Sequence, residues 1–347
     1  MSTLLDSSVP DWLVTMPKVE LHVHLEGTLN PATLLTLARR YDVDLGIGDE
    51  QPVDSLFKYG NFTEFIETFT MCSDCLRTAA DLGQAVDAYA VDLSRQGVRY
   101  AELHFNPEPH LRRRSIAMAD ALEHMNAARE RARLRDGLEL RWIADGVRDA
   151  ASGPVSADRT VDWKIDAGHD SGIVALGLGG NEVGNPAGTF ARAFERARRA
   201  GFHVVAHAGE AAGPESIWEA IELLGAERIG HGIAAARDPA LMTMLRERRI
   251  PLEICPTSNL RTGVIASDEL LPLETFLKAG VRFSINSDDP PMFGTSLVSE
   301  YALVTSLLDL DRRQVATIVA DTINQSFADD STKARLLREL RDHTPFD

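Results

Sequence analysis

Eight short apolar segments alternate with longer helical patterns, and this alternation constrains the fold more than any other feature of the sequence. Repeated strand–helix units favour a parallel sheet, and eight of them suit a closed barrel. The sequence therefore predicts an α/β fold, a (β/α)8 TIM barrel. The predicted strands are residues 18–25, 98–105, 138–147, 172–180, 202–209, 227–233, 250–256 and 281–287.

The connection between the first two predicted strands is much longer than the others. It contains three helical patterns, "NPATLLTLARRY", "NFTEFIETFTMCSDCLRT" and "DLGQAVDAYAVDLSRQG". A long excursion of this kind commonly forms a lid or a wall of a substrate site. We therefore expect a helical insertion at about 30–97 within a single barrel domain that spans 1–347, because no linker or repeat divides the chain.

Charge and cysteine content narrow the class of partner. The chain has 36 basic and 52 acidic residues, a net charge of −16 that is spread along the sequence. Nucleic acids and anionic membranes both attract clustered lysine and arginine, so neither is an expected partner. Three cysteines suit a reducing compartment, and no apolar run reaches the length of about 20 residues that spans a bilayer, so a cytoplasmic location is expected. Whether it forms a homo-oligomer stays open.

Unusual polar residues lie where the predicted strands end. A barrel brings the carboxyl ends of its strands to one face, where enzymes of this fold react. Residues far apart in sequence therefore meet there. These residues are His22 and His24 on strand one, His207 and Glu210 at strand five, His231 on strand six, Glu253 on strand seven, and Asp288 and Asp289 after strand eight.

The His-x-His pair of the first strand indicates a metal site. Side chains at i and i+2 of a strand share a face, so His22 and His24 point together into the barrel mouth. Adding His207 and a carboxylate gives three nitrogens and one oxygen, a donor set that suits zinc with room for a water molecule.

Three further residue types suit the chemistry around such a metal. Glu210 is placed for proton transfer, and His231 could orient the attacking water. Successive side chains diverge, so one of Asp288 and Asp289 binds the metal while the other contacts substrate. The "GLGGNE" stretch lacks the lysine of a phosphate-binding loop and favours a close backbone approach to a flat ligand.

The other histidines are predicted to be structural, because a lone histidine is more often a satisfied packing group than a ligand. His203 shares a strand face with His207 and is expected deeper in the barrel. The full set is His104, His110, His124, His169, His203 and His343.

The motifs together resemble the adenosine deaminase family of metal-dependent hydrolases. The matching stretches are "MPKVELHVHLEGTL", "HAGE", "RIGHGI", "EICPTSN" and "INSDDPPMFGT". This resemblance implies a barrel with one zinc ion per chain. It also implies hydrolysis of the 6-amino group of a purine nucleoside to the 6-oxo product and ammonia.

The resemblance also assigns roles to individual residues. The proton-transfer glutamate is Glu210, His231 orients the nucleophile, and Asp289 holds purine N7. Gly180 offers its backbone amide to purine N3, and Glu253 and Ser258 support the site from behind. The implied metal ligands are His22, His24, His207 and Asp288.

Departures from the family pattern concern the substrate. Animal-type members have Asp at Glu26, where it meets the ribose 5′-hydroxyl, and read "DLAGDE" where this chain reads "GLGGNE" from Gly177. His24 is expected to contact the substrate as well as the metal. The chain looks most similar to bacterial aminodeoxyfutalosine deaminases, whose nucleoside has an extended 5′ substituent. Phe65 and Phe69 match aromatic residues on the sugar side, and simple helix packing explains that pair equally well.

Three alternatives remain at this point. An adenine deaminase would act on the free base. An amidohydrolase with two metals bridged by a modified lysine would need a lysine at the end of strand four, and "GIVALGLGG" has none. A purine-binding protein without catalysis would be expected to lack a metal ligand or Glu210.

Overall fold

The computed structural model describes residues 9–47, 52–60, 62–148, 153–265 and 271–345. Eight strands form one parallel series in chain order, each paired with the next, which confirms the barrel prediction. The strands are β1 (Lys18–His24), β2 (Val98–Phe105), β3 (Glu139–Val147), β4 (Ile173–Gly179), β5 (His203–Ala208), β6 (Arg228–His231), β7 (Leu252–Ile254) and β8 (Phe283–Ile285).

The two ends of the strand series meet at the candidate site. A parallel bridge joins Val23 of β1 to Asp288, three residues beyond the end of β8. Two backbone hydrogen bonds support it: His24 N donates to Asp288 O at 3.0 Å, and Asp288 N donates to His22 O at 3.1 Å. Closure therefore places the His-x-His pair directly beside the aspartate that follows β8.

Helices surround the strands and fill the long first connection. Three of them, α2 to α4, lie between β1 and β2 and confirm the helical insertion. The helices are α1 (Asp11–Thr15), α2 (Pro31–Tyr41), α3 (Phe62–Ser73), α4 (Ala79–Arg95), α5 (Met118–Asp136), α6 (Pro154–Ala167), α7 (Ala191–Arg199), α8 (Pro214–Glu219), α9 (Pro239–Arg248), α10 (Pro256–Arg261), α11 (Leu273–Ala279), α12 (Pro290–Phe293), α13 (Leu297–Leu307), α14 (Arg312–Gln325) and α15 (Asp330–His343).

Capping residues in the sequence define where the insertion helices begin. Asn30 accepts a hydrogen bond from Thr33 N at the start of α2, and Pro31 occupies the first turn, where its missing N–H has no cost. Thr78 and Asp81 form a reciprocal capping box at the start of α4. Among the described residues, no helix is both long enough and apolar enough to cross a bilayer.

The expectation for His203 is wrong. This residue begins β5, its side chain is 46% exposed, and its Nδ1 lies 2.9 Å from Glu227 Oε2. A strand rises about 3.3 Å per residue, so four residues place His203 about 13 Å below His207, at the opposite end of the barrel. The even spacing of His203 and His207 therefore predicted that both side chains lie on the same face of β5, but it did not predict how far along the barrel axis His203 lies.

Candidate metal centre and active site

Three histidines and one aspartate converge at the carboxyl ends of β1, β5 and β8. His24 Nε2 lies 3.1 Å from His207 Nε2 and 3.5 Å from Asp288 Oδ1. His22 Nε2 lies 3.6 Å from the same Asp288 oxygen. All four side chains are buried, and we call these four residues the metal cluster.

The metal cluster fits a zinc ion. Two ligands about 2.1 Å from a tetrahedral zinc ion lie about 3.4 Å apart, close to the observed separations. His207 Nδ1 faces the carbonyl oxygen of Leu178 at 2.9 Å, and His22 Nδ1 faces Glu253 Oε2 at 2.8 Å. Both partners only accept, so each Nδ1 carries a proton and each Nε2 is the atom that would bind the metal. His22 Nε2 is buried without a hydrogen-bond partner among the described residues.

A buried ionic network holds His22 from behind. Arg228 Nε lies 2.5 Å from Glu253 Oε1, and Arg228 Nη2 lies 2.6 Å from Glu102 Oε2. Burial alone would raise the pKa of Glu253, but the Arg228 charge and the His22 hydrogen bond lower it to about 2. Glu253 thus keeps the charge that orients His22, as carboxylates behind metal-binding histidines commonly do. The sequence did not single out Arg228.

Glu210 faces the same space from the loop after β5. Its Oε2 lies 3.7 Å from His231 Nε2. Burial, and then the charges of Asp288 and Glu182, raise the pKa of Glu210 well above its ordinary value. A shift in this direction favours the protonated carboxyl group, which can act as a general acid.

Glu182 fixes the loop that carries Glu210. Its carboxylate accepts hydrogen bonds from four consecutive backbone N–H groups, those of residues 209–212, at 2.6 to 3.1 Å. Arg148 holds the end of β5 through His207 O at 2.7 Å. Glu182 belongs to the "GLGGNE" stretch, in which only the glycines suggested a function from sequence.

His231 is held by Asn259 rather than by Ser258. The Asn259 amide nitrogen lies 3.0 Å from His231 Nδ1, whereas Ser258 Oγ has no hydrogen-bond partner among the described residues. His231 has a φ of 57° and Asp288 one of 64°, a left-handed conformation that costs energy outside glycine and tends to occur at functional sites. Ser258, which the resemblance placed behind the site, directly precedes Asn259 in "PTSN".

Asp289 points its carboxyl group toward Gly27. A Cβ atom at Gly27 would lie 1.7 Å from Asp289 Oδ1, so the glycine makes room for this side chain. Asp289 Oδ1 is buried and has no hydrogen-bond partner among the described residues. Burial and the charge of Asp288 raise the pKa of Asp289. The two neighbouring aspartates therefore differ, with Asp288 in the metal cluster and Asp289 outside it.

A cavity opens above the metal cluster. Its inner end is formed by His24, His207, Glu210, His231, Asp288 and Asp289, together with Gly179 and Gly180. Gly180 has a φ of 87°, which an L side chain rarely adopts. The cavity thus brings most of the predicted site residues to one surface.

The outer end of the cavity lies between α3 and the residues after β2. On the α3 side are Phe62, Phe65, Ile66 and Phe69; on the other are Asn106, Glu108, Pro109 and Arg112. Phe65 also packs its ring against Phe293, with centroids 4.9 Å apart. Phe69 presents its ring edge-on to His24 at 6.3 Å. Phe65 and Phe69 therefore both pack against neighbouring rings and line the cavity.

Glu26 is fully buried and is not among the residues that line the cavity. Its Oε1 accepts hydrogen bonds from Asn106 N at 2.9 Å and faces His110 Nε2 at 3.1 Å. His110, predicted to be structural, thus supports the cavity wall through Glu26. Glu26 affects the cavity only indirectly, by holding the backbone of Asn106, which lines it.

His104, also predicted to be structural, lies within the centre itself. Its ring is 4.8 Å from that of His22 and 4.9 Å from that of His24. Asp145 lies 3.0 Å from its Nδ1. His104 lies near the carboxyl end of β2, but a single histidine in its segment predicts only a structural role.

Comparison with known proteins decides the family. The adenosine deaminase family model matches residues 17–343. The chain belongs to the adenosine deaminase family. An aminodeoxyfutalosine deaminase from Streptomyces avermitilis is 41% identical over 96% of this chain and 92% of its own.

Solved structures of similar fold agree with this assignment. An adenine deaminase from Arthrobacter aurescens superposes with a TM-score of 0.88 at 32% identity, covering 94% of this chain and 98% of its own. An amidohydrolase from Burkholderia ambifaria, with bound Zn, gives 0.85 at 25% identity, covering 96% and 92%. The chain is thus a hydrolytic deaminase, and its buried His/Asp cluster fits the metal dependence of the adenosine deaminase family.

Proposed function

We propose that this adenosine deaminase family member is a zinc-dependent aminohydrolase that converts the 6-amino group of an adenine nucleoside to a 6-oxo group. The observation that carries the proposal is that three residues of the metal cluster, His24, His207 and Asp288, line one cavity together with Glu210, His231 and Asp289. One zinc ion per chain would be held by the cluster.

The side chains around the metal cluster have separate roles in the reaction. When bound, zinc would supply an activated water as the nucleophile. Glu210 donates its proton to purine N1 as oxygen adds to C6, and His231 orients the attacking water. The C6–N6 bond then breaks. Of the two protons of water, one leaves in ammonia and the other restores Glu210.

Asp289 and Gly180 would hold the base. The raised pKa of Asp289 gives its carboxyl group a proton to donate to purine N7, and its Oδ1 has no competing partner among the described residues. The left-handed backbone at Gly180 allows its amide to approach purine N3. Glu26 contributes by holding Asn106 in the wall.

The outer cavity favours a nucleoside with an extended 5′ substituent, such as 6-aminodeoxyfutalosine. Apolar side chains of α3, including Phe65 and Phe69, line the outer cavity and offer contact area for such a substituent. The Streptomyces avermitilis relative supports this choice. The Arthrobacter aurescens structure favours free adenine as the second candidate, but adenine alone would leave the outer wall without contacts.

Ammonia release from a panel of substrates tests this proposal. The panel is adenine, adenosine, 2′-deoxyadenosine, 5′-deoxy-5′-thio analogues and 6-aminodeoxyfutalosine. We expect kcat/KM to be highest for 6-aminodeoxyfutalosine, at least about tenfold above adenosine, because apolar contacts of the substituent add about 1–3 kcal/mol. Comparable rates on free adenine would contradict the preference for a nucleoside.

A further inference from the structure

Asp145 on β3 and His104 on β2 form a buried pair beside the metal cluster. Both side chains have no exposed surface, and His104 Nδ1 lies 3.0 Å from each oxygen of Asp145. Asp145 Oδ2 also lies 3.8 Å from His24 Nδ1. One carboxylate thus faces two histidines, one of which belongs to the cluster.

His24 is the cluster histidine whose support is otherwise missing. Glu253 faces Nδ1 of His22, and the carbonyl of Leu178 faces Nδ1 of His207. Nδ1 of His24 is buried and has no hydrogen-bond partner among the described residues. A metal-binding histidine usually donates its other N–H to a carboxylate or carbonyl, which fixes the ring. Asp145 is placed on that side of His24.

Gly177 on β4 shows how the carboxylate reaches this position. Asp145 and Gly177 are register partners in the β3–β4 ladder. A Cβ atom at Gly177 would lie 1.8 Å from Asp145 Oδ1. Gly177 is not among the residues with positive φ, so its backbone does not itself require glycine. The Asp145 side chain therefore fills the space that a side chain at 177 would occupy.

We propose that Asp145 is the positioning residue for His24, and that its carboxylate reaches the metal cluster from β3 because Gly177 vacates the space on β4. At Gly177 this chain lacks the aspartate of the animal pattern. The acidic group is then supplied by Asp145 on β3 instead of by β4, so it is moved and not lost. This inference rests on the metal site of the proposed function. It adds a residue that acts on the metal through His24.

Exchanging the two side chains tests the proposal. The variants are Asp145→Ala, Asp145→Asn, Gly177→Asp and the double variant Asp145→Ala/Gly177→Asp, with Glu253→Gln as a positive control. Zinc affinity is measured by competition with a chromogenic chelator, and the fold is checked by thermal unfolding of the metal-free proteins. Loss of a carboxylate behind a metal-binding histidine is expected to weaken zinc binding about 10–100-fold.

We expect Asp145→Ala and Asp145→Asn to weaken zinc binding to that extent. Gly177→Asp alone should lower the unfolding temperature, because its Cβ would collide with Asp145 Oδ1 and lie 3.0 Å from Ile143 Cγ2. The double variant should bind zinc more tightly than Asp145→Ala, because the carboxylate returns from β4. A merely structural role for Asp145 would give no such rescue.

Two outcomes separate the failure of this inference from that of the proposed function. Wild-type zinc affinity in Asp145→Asn, or a double variant that binds no better than Asp145→Ala, would overturn the role of Asp145. A wild-type protein that binds no zinc would instead contradict the proposed function.

Discussion

Glu210→Gln is expected to lower kcat on the preferred adenine nucleoside by about 10³-fold while leaving zinc binding unchanged. General acid–base catalysis by a positioned side chain typically contributes about 10²–10⁴-fold. Glutamine has nearly the same shape and leaves the backbone hydrogen bonds of the loop to Glu182 in place, but it has no acidic proton for purine N1. Glu210 lies outside the metal cluster, so the metal should remain. Steady-state kinetics and metal analysis on the same preparation measure both effects.

Glu215→Gln is the matched control, because Glu215 is an exposed carboxylate on α8, close to Glu210 in sequence. Its kcat should equal that of the wild type. A Glu210→Gln variant with kcat within about tenfold of wild type would refute the general-acid role.

Arg228→Met is expected to lower the free energy of unfolding by about 3–5 kcal/mol, because it removes one partner of a buried ionic network. Arg228 is 1% exposed, and its loss leaves Glu102 and Glu253 buried without their cation. The variant also removes the charge that lowers the pKa of Glu253, so His22 should be held less firmly. Denaturant unfolding, with zinc content measured alongside, tests both consequences.

Arg196→Met provides the comparison at the surface. Arg196 also pairs with two carboxylates, Asp158 and Asp162, but its side chain is 34% exposed. Exposed ion pairs typically contribute about 0–1 kcal/mol, so this variant should remain close to wild type. Equal effects of the two substitutions would show that burial of the Arg228 network does not matter for stability.

The sequence predicts the frame of this molecule well, for a physical reason. Parallel strands with helices between them have distinct hydrophobic periods, and the polar residues at strand ends interrupt those periods. The four residues of the metal cluster can be recognised in the sequence for that reason, and closure of the barrel brings them together.

The supporting residues are less accessible to sequence reasoning. Glu182, Arg228 and Asn259 act through contacts with neighbouring strands or the loops that follow them, and each is unremarkable within its own segment. The proposed role of Asp145 depends on its pairing with Gly177 across the β3–β4 ladder, which the sequence does not reveal. His203 shows the opposite case. It shares a strand face with the site residue His207, but it lies at the other end of the barrel.

A zinc titration of metal-free protein, followed by the rate of ammonia release from an adenine nucleoside, tests the central claim most directly. The claim is that one zinc ion, held by the metal cluster, supports deamination. The rate should rise linearly with added zinc and reach its plateau at one equivalent per chain. Full activity without metal, or a plateau at two equivalents, would contradict it.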